Sequence, residues 1–205
     1  MSWGTPEGDK TFRDAVSAIE NNSSVECVVA VRARARLFLG QHITVGLVAT
    51  YAVLIFSVLN EWTPWTTLVF PIAAGLVAAV LVEYIAPLYR FLVPTSLRED
   101  HVRTAARALF VENGIYTTRD RTGLLIFVAV RDRIVDVIAD VGIVDKLGQT
   151  RLDHMAQTLG VALAEGPAAL GRTLANFAPE FAEVLPRKAD DTNELSDDPI
   201  AVRPG

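Results

Sequence analysis

The chain contains two long apolar segments, and the sequence on either side of them mixes polar and apolar residues. Residues 37–60 carry no charged side chain apart from the titratable His42, and residues 65–82 carry none. A helix needs about 20 apolar residues to cross the hydrocarbon core of a bilayer. Neither segment keeps the polar stripe of a helix on the surface of a soluble protein. The pattern predicts a transmembrane helical hairpin over residues 37–89, and the alternative is a buried helical pair of a soluble protein.

The distribution of positive charge predicts the orientation of this hairpin. The tip between the two segments carries Glu61 and neither lysine nor arginine. The outer ends are flanked by six arginines: Arg32, Arg34, Arg36, Arg90, Arg98 and Arg103. Because positive charge concentrates on the cytoplasmic side of a membrane, we expect a multi-pass protein of the inner (cytoplasmic) membrane with both termini in the cytoplasm. The first 24 residues contain no apolar run, so we expect no signal peptide there.

Several side chains at the ends of the two segments are expected to lie at the membrane interfaces, where aromatic rings and basic groups concentrate. They are Trp62, Trp65, Tyr84, Tyr89, Arg36 and Arg90. The second segment also has a face of small residues that allows close helix packing: Ala74, Gly75, Ala78 and Ala79. We expect this face to pack within the hairpin, and the alternative is a dimer interface.

The sequence on either side of the hairpin predicts an α/β domain in two parts, residues 1–36 and 94–186. Runs rich in β-branched residues predict strands over residues 25–31, 123–130 and 134–139. The short turn between the last two strands requires an antiparallel pair. Apolar residues at helical spacing predict helices over residues 11–21, 151–165 and 168–185. They also predict a helix that Thr95 or Ser96 caps and that Asn113 and Gly114 end. Pro179 is expected to kink or split the last helix, residues 140–148 are interpreted as a connecting segment, and residues 187–205 as a disordered acidic tail.

Composition narrows the classes of function. The net charge of −5 provides no basic surface for nucleic acid. The chain has one cysteine, Cys27, so it can form no internal disulfide and no thiolate cluster for zinc. Cys27 lies in an apolar run and is interpreted as a buried, inert thiol. The three histidines, His42, His101 and His154, are scattered over unrelated elements and match no catalytic or metal-binding motif.

The order of elements resembles the TPM domain family, in the branch of bacterial membrane proteins. Four stretches carry the likeness: SVECVVAV at 24–31, ALFVENGI at 108–115, RTGLLIFVAVRDR at 121–133 and VDVIADVGI at 135–143. The resemblance implies a small α/β sandwich, a mixed sheet with helices on both faces, into which the hairpin is inserted after the first strand. Family members are variously weak phosphatases, calcium binders, and accessory or repair factors. The resemblance therefore implies a fold more firmly than an activity.

The loop before the second predicted strand is the best candidate for a binding site. It contains Thr118, Arg119, Asp120, Arg121 and Thr122. Its arginines and hydroxyls could hold a phosphate or a carboxylate, and its aspartate could bind a metal or act as a nucleophile. The alternative is an ordinary solvated loop whose arginines pair with Asp120 or with lipid headgroups.

The other acidic candidates are Asp132, Asp136, Asp140 and Asp145. Calcium needs six to eight oxygen ligands, but residues four apart on a strand lie ~13 Å apart. Asp120 and Asp140 remain as the candidates for Ca²⁺ or Mg²⁺, no other cofactor is expected, and no catalytic residue is assigned. We expect a non-catalytic module in the lipid bilayer that binds or helps to assemble another membrane protein. The alternative is a weak metal-dependent phosphatase.

Overall fold

A computed structural model describes residues 6–33, 39–84, 93–188, 194–195 and 200, without the side chains of residues 6, 7, 9, 39–41 and 82–84. The chain forms two compact units. Arg36–Arg98 form the unit that holds the apolar hairpin, and Met1–Ala35 combine with Glu99–Gly205 in an α/β domain. In chain order the elements are α1 (Pro6–Glu20), β1 (Glu26–Arg32), α2 (Leu39–Leu59), α3 (Pro64–Tyr84), α4 (Thr95–Glu112), β2 (Gly123–Ala129), β3 (Ile134–Ala139), α5 (Val141–Leu147), α6 (Gln149–Leu163), α7 (Pro167–Ala175) and α8 (Ala178–Val184).

The two helices of the hairpin are long and apolar enough to cross a membrane, and their apolar side chains point outward. The 18-residue windows His42–Leu59 and Pro64–Leu81 have mean hydropathies of 2.0 and 1.8, and only 6% and 11% of their residues are buried. A helix in the core of a soluble protein would instead be mostly buried. The exposed apolar surface of α2 and α3 therefore fits contact with lipid.

Small residues bring α2 and α3 together. An added Cβ at Gly75 would meet the hydroxyl of Thr50 and, at 2.8 Å, the carbonyl oxygen of Gly46. An added Cβ at Gly46 would lie 3.2 Å from Cβ of Ala79. The predicted small-residue face thus packs within the hairpin at Gly75 and Ala79. Thr50 donates its hydroxyl proton to the carbonyl of Gly46 at 2.9 Å, so this polar group is satisfied within its own helix.

The hairpin tip holds the two tryptophans predicted at the interface. Trp62 packs edge-on against the rings of Phe56 and Phe70, with centroid distances of 5.9 and 5.5 Å. Trp65 is exposed at the start of α3. The other predicted interface groups, Arg36, Tyr89, Arg90 and the side chain of Tyr84, lie outside the described residues.

The α/β domain contains a three-stranded mixed sheet in the order β1-β2-β3. The central strand β2 pairs with β1 in parallel, from Glu26↔Gly123 to Arg32↔Ala129. It pairs with β3 in antiparallel, from Leu124↔Ala139 to Ala129↔Ile134. The predicted antiparallel pair and the predicted α/β class are confirmed. The parallel pair is available because the chain returns to the sheet only after the hairpin and α4, which is the long crossover that parallel strands need.

Both faces of the sheet are covered, which is why all seven residues of β2 are buried. Alternate residues point to opposite faces. Leu124, Ile126 and Val128 join the larger core cluster with α1 and with the helices α5 to α8. Leu125 and Phe127 join the smaller cluster with the apolar side of α4. The sheet with helices on two faces is the arrangement that the continuous apolar run of β2 predicts.

The structure corrects two predicted segments and refines a third. Residues 140–148 are not simply a connection, because they contain α5, which begins after Asp140 and ends at Gly148 (φ 85°). Helix α1 begins at Pro6, five residues before the predicted start. The last predicted helix is split into α7 and α8, as Pro179 suggested.

The predicted tail contacts the domain at those of its residues that the structure describes. Ile200 forms a parallel bridge to Ala30 on the outer edge of β1. Leu195 and Ile200 both pack against the smaller core cluster. A free, disordered tail is therefore wrong at these positions, because apolar residues between the acidic ones have sites on the domain. For the rest of residues 187–205 the expectation stays a prediction.

Candidate functional site

The predicted binding loop is held in place by its own threonines. Thr118 and Thr122 are buried, and the hydroxyl of Thr118 accepts a hydrogen bond from the amide of Thr122 at 2.9 Å. The amide of Arg121 donates to the carbonyl of Thr118 at 3.1 Å, and Arg121 adopts a left-handed conformation with φ of 59°. The hydroxyl of Thr118 thus stabilises the turn of this loop.

The fold brings two of the predicted site residues, Arg121 and Asp140, into an ion pair. Oδ2 of Asp140 lies 2.9 Å from Nε of Arg121, although not at the angle of a hydrogen bond. Oδ1 of Asp140 accepts the amide proton of Val141 at 2.7 Å and caps α5. The Asp140 side chain is only 5% exposed, whereas that of Arg121 is 53% exposed. This pair lies at the end of the sheet where β2 begins and β3 ends.

A glycine allows the loop to approach α5 this closely. The amide of Gly142 donates to the carbonyl of Arg121 at 3.0 Å. An added Cβ at Gly142 would lie 2.6 and 2.7 Å from the carbonyl oxygens of Asp120 and Arg121. No larger residue fits here without moving backbone. Gly142 therefore allows the backbone of the loop to lie against the start of α5.

Three further groups at this end of the sheet were not predicted as site residues. Nζ of Lys188 lies 2.6 Å from Oδ2 of Asp120, and this hydrogen bond holds the pKa of the exposed Asp120 carboxyl below its ordinary value. Oε2 of Glu194 accepts the amide proton of Arg119 at 2.9 Å. Oε2 of the buried Glu26 accepts the amide protons of Glu194 and Leu195 at 3.1 and 3.2 Å. The one signal for Glu26 is a carboxylate inside an otherwise apolar strand sequence.

The remaining acidic candidates do not converge. Asp132 lies in the turn before β3, Asp136 lies within β3, and Asp140 follows its end. Among the described residues, no group of three or more histidine, cysteine, aspartate or glutamate side chains could hold a metal ion. Asp132, Asp136 and Asp140 thus lie before, within and after one strand, β3.

Cys27 is buried in β1, next to the central strand. Its burial raises the pKa of its thiol strongly, and the nearby carboxylates of Glu20 and Glu26 raise it further. Glu20 accepts the amide proton of Cys27 at 3.0 Å. Because the thiolate is the reactive form of cysteine, this thiol stays unreactive while the sheet is intact.

Comparison with known proteins bears on the fold alone. No family model matches this chain, and no curated protein matches it in sequence. The chain is similar to a solved structure, the NMR structure of the BA42 protein from the psychrophilic bacterium Bizionia argentinensis. The TM-score is 0.58 at 18% sequence identity, and the match covers 95% of this chain and 92% of that one. At this identity the likeness extends to the fold and not to a function.

A second site lies away from the predicted loop, at the outer edge of β3. Here a cleft of about 410 Å³ separates α4 from α6. Its lining combines apolar side chains with both signs of charge: Glu99, Val102, Arg103, Arg133, Ile134, Val135, Asp136, Asp153, Ala156, Gln157 and Gly160. We call this space the β3 cleft. Clefts that combine apolar walls with a few polar groups are the usual form of a binding site.

Asp136 is the unusual group of the β3 cleft. It lies on the middle of β3, opposite Phe127 of the central strand. Its Oδ2 is buried and has no hydrogen-bond partner. Burial raises the pKa of the Asp136 carboxyl above its ordinary value, while Arg103 lowers it. A carboxylate that burial disfavours, in a cleft, is a candidate functional group.

Replacement of this carboxylate should reveal its effect on stability. The folded chain binds the Asp136 proton more tightly than the unfolded chain, whose aspartates have a pKa near 3.8. The carboxylate therefore lowers the free energy of unfolding as pH rises from that value through the raised one. We expect Asp136→Asn to stabilise the domain at pH 7 by about 1 kcal/mol, since an unsatisfied buried group costs about 1–3 kcal/mol, and to have no such effect below pH 3.

Urea unfolding of the full chain in detergent, followed by the labelling of Cys27 with a thiol reagent, measures this difference. Asp145→Asn is the matched control, because Asp145 is exposed on α5 outside the β3 cleft. Equal stability of Asp136→Asn and the unsubstituted chain at pH 7 would contradict the assignment of a disfavoured carboxylate.

Proposed function

We propose that this chain is a membrane-anchored α/β module of the TPM type that binds or helps to assemble another membrane protein. Its hairpin spans the inner membrane, and its α/β domain and both termini lie in the cytoplasm. It acts by binding, not by turnover of a substrate. The lipid bilayer and a second membrane protein are its partners.

The observation that carries this proposal is the outer surface of the hairpin. Apolar side chains cover it around both helices, including Leu47, Ile55, Leu68 and Leu76, each of them more than half exposed. In water such a surface would be unfavourable by roughly 25 cal/mol for each Å² of apolar area. A bilayer removes this cost, because the backbone polar groups are satisfied within the helices.

The charges at the two ends of the hairpin support the orientation. Glu61 lies at the tip, where the chain turns with a positive φ of 52°. The arginines that flank the hairpin all belong to the sequence at its other end. Each such arginine near an anionic leaflet contributes about 1 kcal/mol. Charge therefore favours the tip on the outer side of the membrane.

The predicted loop supports a binding role over a catalytic one. Asp120 and Lys188 bond to each other, and Arg121 pairs with Asp140. General acid–base catalysis needs groups that are free to exchange protons with a substrate. These paired groups instead stabilise one end of the sheet.

A test of this proposal uses the tagged full chain expressed in its native membranes. We expect the chain to remain in the membrane after extraction with alkaline carbonate, and a pull-down in mild detergent to recover one membrane protein in stoichiometric amount. Replacing Arg119 and Arg121 with glutamine should reduce the recovery, whereas the same change at Arg151 and Arg172 should not. Release of the chain by carbonate, or a pull-down without a stoichiometric partner, would contradict the proposal.

A weak metal-dependent phosphatase is the second candidate, and one observation favours it. Oδ2 of Asp140 is buried without a hydrogen-bond partner, and its ion pair with Arg121 places it beside the loop that carries a second aspartate, Asp120. We expect no metal-dependent hydrolysis of p-nitrophenyl phosphate by the purified chain with Mg²⁺, Mn²⁺ or Ca²⁺. Turnover that depends on the metal and is lost in both Asp120→Asn and Asp140→Asn would favour the phosphatase instead.

A further inference from the structure

We propose that the β3 cleft is a docking site for an extended peptide segment of the partner protein, and that this segment carries a basic side chain that meets Asp136. The partner class rests on the proposed function.

The backbone of β3 offers a row of hydrogen-bonding groups to such a segment. The amide of Asp140 donates to the carbonyl of Gly123 at 2.9 Å, so these two residues form a hydrogen-bonded pair. In an antiparallel ladder such pairs alternate with non-bonded ones. Val135 and Val137 therefore turn their amide and carbonyl groups away from β2, toward the outer edge. An edge strand of this kind is a template for one more strand.

The two edges of the sheet differ in what covers them. Along β1, the amide of Ile200 donates to the carbonyl of Val29 at 2.9 Å, and the carbonyl of Ile200 accepts from Val31 at 3.4 Å. Among the described residues, β3 has no strand beyond β2 as a partner. The chain itself thus bridges one edge of the sheet, and the β3 cleft borders the other along Ile134, Val135 and Asp136.

The β3 cleft, of about 410 Å³, lies where a strand added to β3 would run. Such a strand would lie ~4.8 Å from β3, between the walls formed by Val102 on α4 and Ala156 on α6. On the α6 side, an added Cβ at Gly160 would meet no atom within 4 Å. Apolar side chains on alternate positions of the segment can therefore pack on both walls while its backbone pairs with β3.

Asp136 selects the chemistry of the segment. A purely apolar strand would leave Oδ2 of this carboxylate buried without a hydrogen-bond partner, although Arg103 and Arg107 lie near it, and an unsatisfied buried oxygen is unfavourable. A lysine or arginine would pair with it in a charge-assisted hydrogen bond. The carboxylate of Asp136 thus disfavours a purely apolar strand and favours one that carries a lysine or arginine.

The other charges of the β3 cleft surround this position from both walls. Glu99 lies on α4 and Asp153 on α6, and both add negative potential. Arg103 and Arg133 are also present, so the cleft is not uniformly acidic. The choice of a cation rests on Asp136, because its Oδ2 is the buried atom left without a partner.

The test uses the purified, ¹⁵N-labelled full chain in detergent micelles and three synthetic peptides. The first is acetyl-TVKVT-amide, the second has glutamate in place of its lysine, and the third is the lysine peptide with alternate amides N-methylated. We expect saturable shifts of the Val135 and Val137 amide signals with the lysine peptide. Its Kd should be at least tenfold lower than those of the other two, which lack the cation or the backbone donors.

Two variants assign the selectivity to one carboxylate. Asp136→Asn should bring the Kd values of the lysine and glutamate peptides to within about twofold, whereas Asp145→Asn, the same change outside the β3 cleft, should keep the tenfold difference. Absence of saturable shifts, shifts confined to other residues, or full selectivity in Asp136→Asn would overturn the proposal. Concentration-dependent shifts at Val135 and Val137 without peptide would overturn it too, with a second copy of this chain as the occupant. Because the assay needs no native partner, its failure leaves the carbonate and pull-down results unaffected.

Discussion

Replacing Leu125 with aspartate will unfold the α/β domain. Leu125 is 0% exposed at the centre of the middle strand, between Val28 of β1 and Ile138 of β3. A carboxylate at this position would be buried without a partner in an apolar cluster. We expect a loss of about 4–5 kcal/mol or more, which is comparable with the whole stability of a typical domain, about 5–15 kcal/mol.

The single cysteine provides the measurement. Cys27 is buried in β1 and protected from thiol reagents while the sheet is intact. The unsubstituted chain in detergent should be labelled only after urea or heat opens the domain, and Leu125→Asp should be labelled at once. Val161→Asp is the control, because Val161 is 71% exposed on α6 and surface changes usually alter stability by less than about 0.5 kcal/mol. Protection of Cys27 in Leu125→Asp equal to that in the control would show that β2 is not the centre of the sheet.

The second large effect is expected in the hairpin, from Gly75→Leu. The first carbon of the new side chain would collide with the hydroxyl of Thr50 and lie 2.8 Å from the carbonyl oxygen of Gly46. Because the second of these is backbone, the two helices must separate. Overpacking of this kind costs about 1–3 kcal/mol, and loss of the close approach also removes the van der Waals contacts that hold transmembrane helices together.

Spin labels on α2 and α3 measure this separation. They are attached through Ile55→Cys and Leu68→Cys in a Cys27→Ser background, since both positions are exposed. We expect one narrow distribution of distances in the parent and a broad, longer one in Gly75→Leu. Ala73→Leu adds a leucine on the exposed face of the same helix and should leave the distribution unchanged. If both leucine variants behave as the parent does, the helices do not pack through Gly75.

An element of this fold can be predicted from the sequence when its pattern of apolar residues is long and regular. The apolar runs of β1 and β2 and of the two hairpin segments are long, and nearly every residue in them is apolar. Each run therefore predicts its element clearly, as do the β-branched residues of β3. Helix α5 has only seven residues, two of its first four being Val141 and Gly142, so no helical periodicity can develop. The cap by Asp140 is a local signal from one residue, whereas the close approach of Gly142 to the loop at Arg121 is a tertiary feature.

The site was harder to predict than the fold, because its bonds join distant parts of the chain. Asp120 and Lys188 are 68 residues apart, and Glu26 is 168 residues from Glu194. The spacing of residues in the sequence does not predict contacts over such distances. The β3 cleft depends on a strand that is absent next to β3 among the described residues, and a sequence pattern predicts the strands that form but not their order in the sheet. Asp136 was visible in the sequence only as a charge on the alternate face of a strand.

Reporter fusions test the membrane anchor and its orientation most directly. Alkaline phosphatase, which is active only outside the cytoplasm, and green fluorescent protein, which fluoresces only inside it, are each fused after Glu61 and after Gly205. The charge distribution predicts phosphatase activity only at Glu61 and fluorescence only at Gly205. Phosphatase activity at Gly205, or fluorescence at both positions, would contradict a hairpin that spans the membrane with both termini in the cytoplasm.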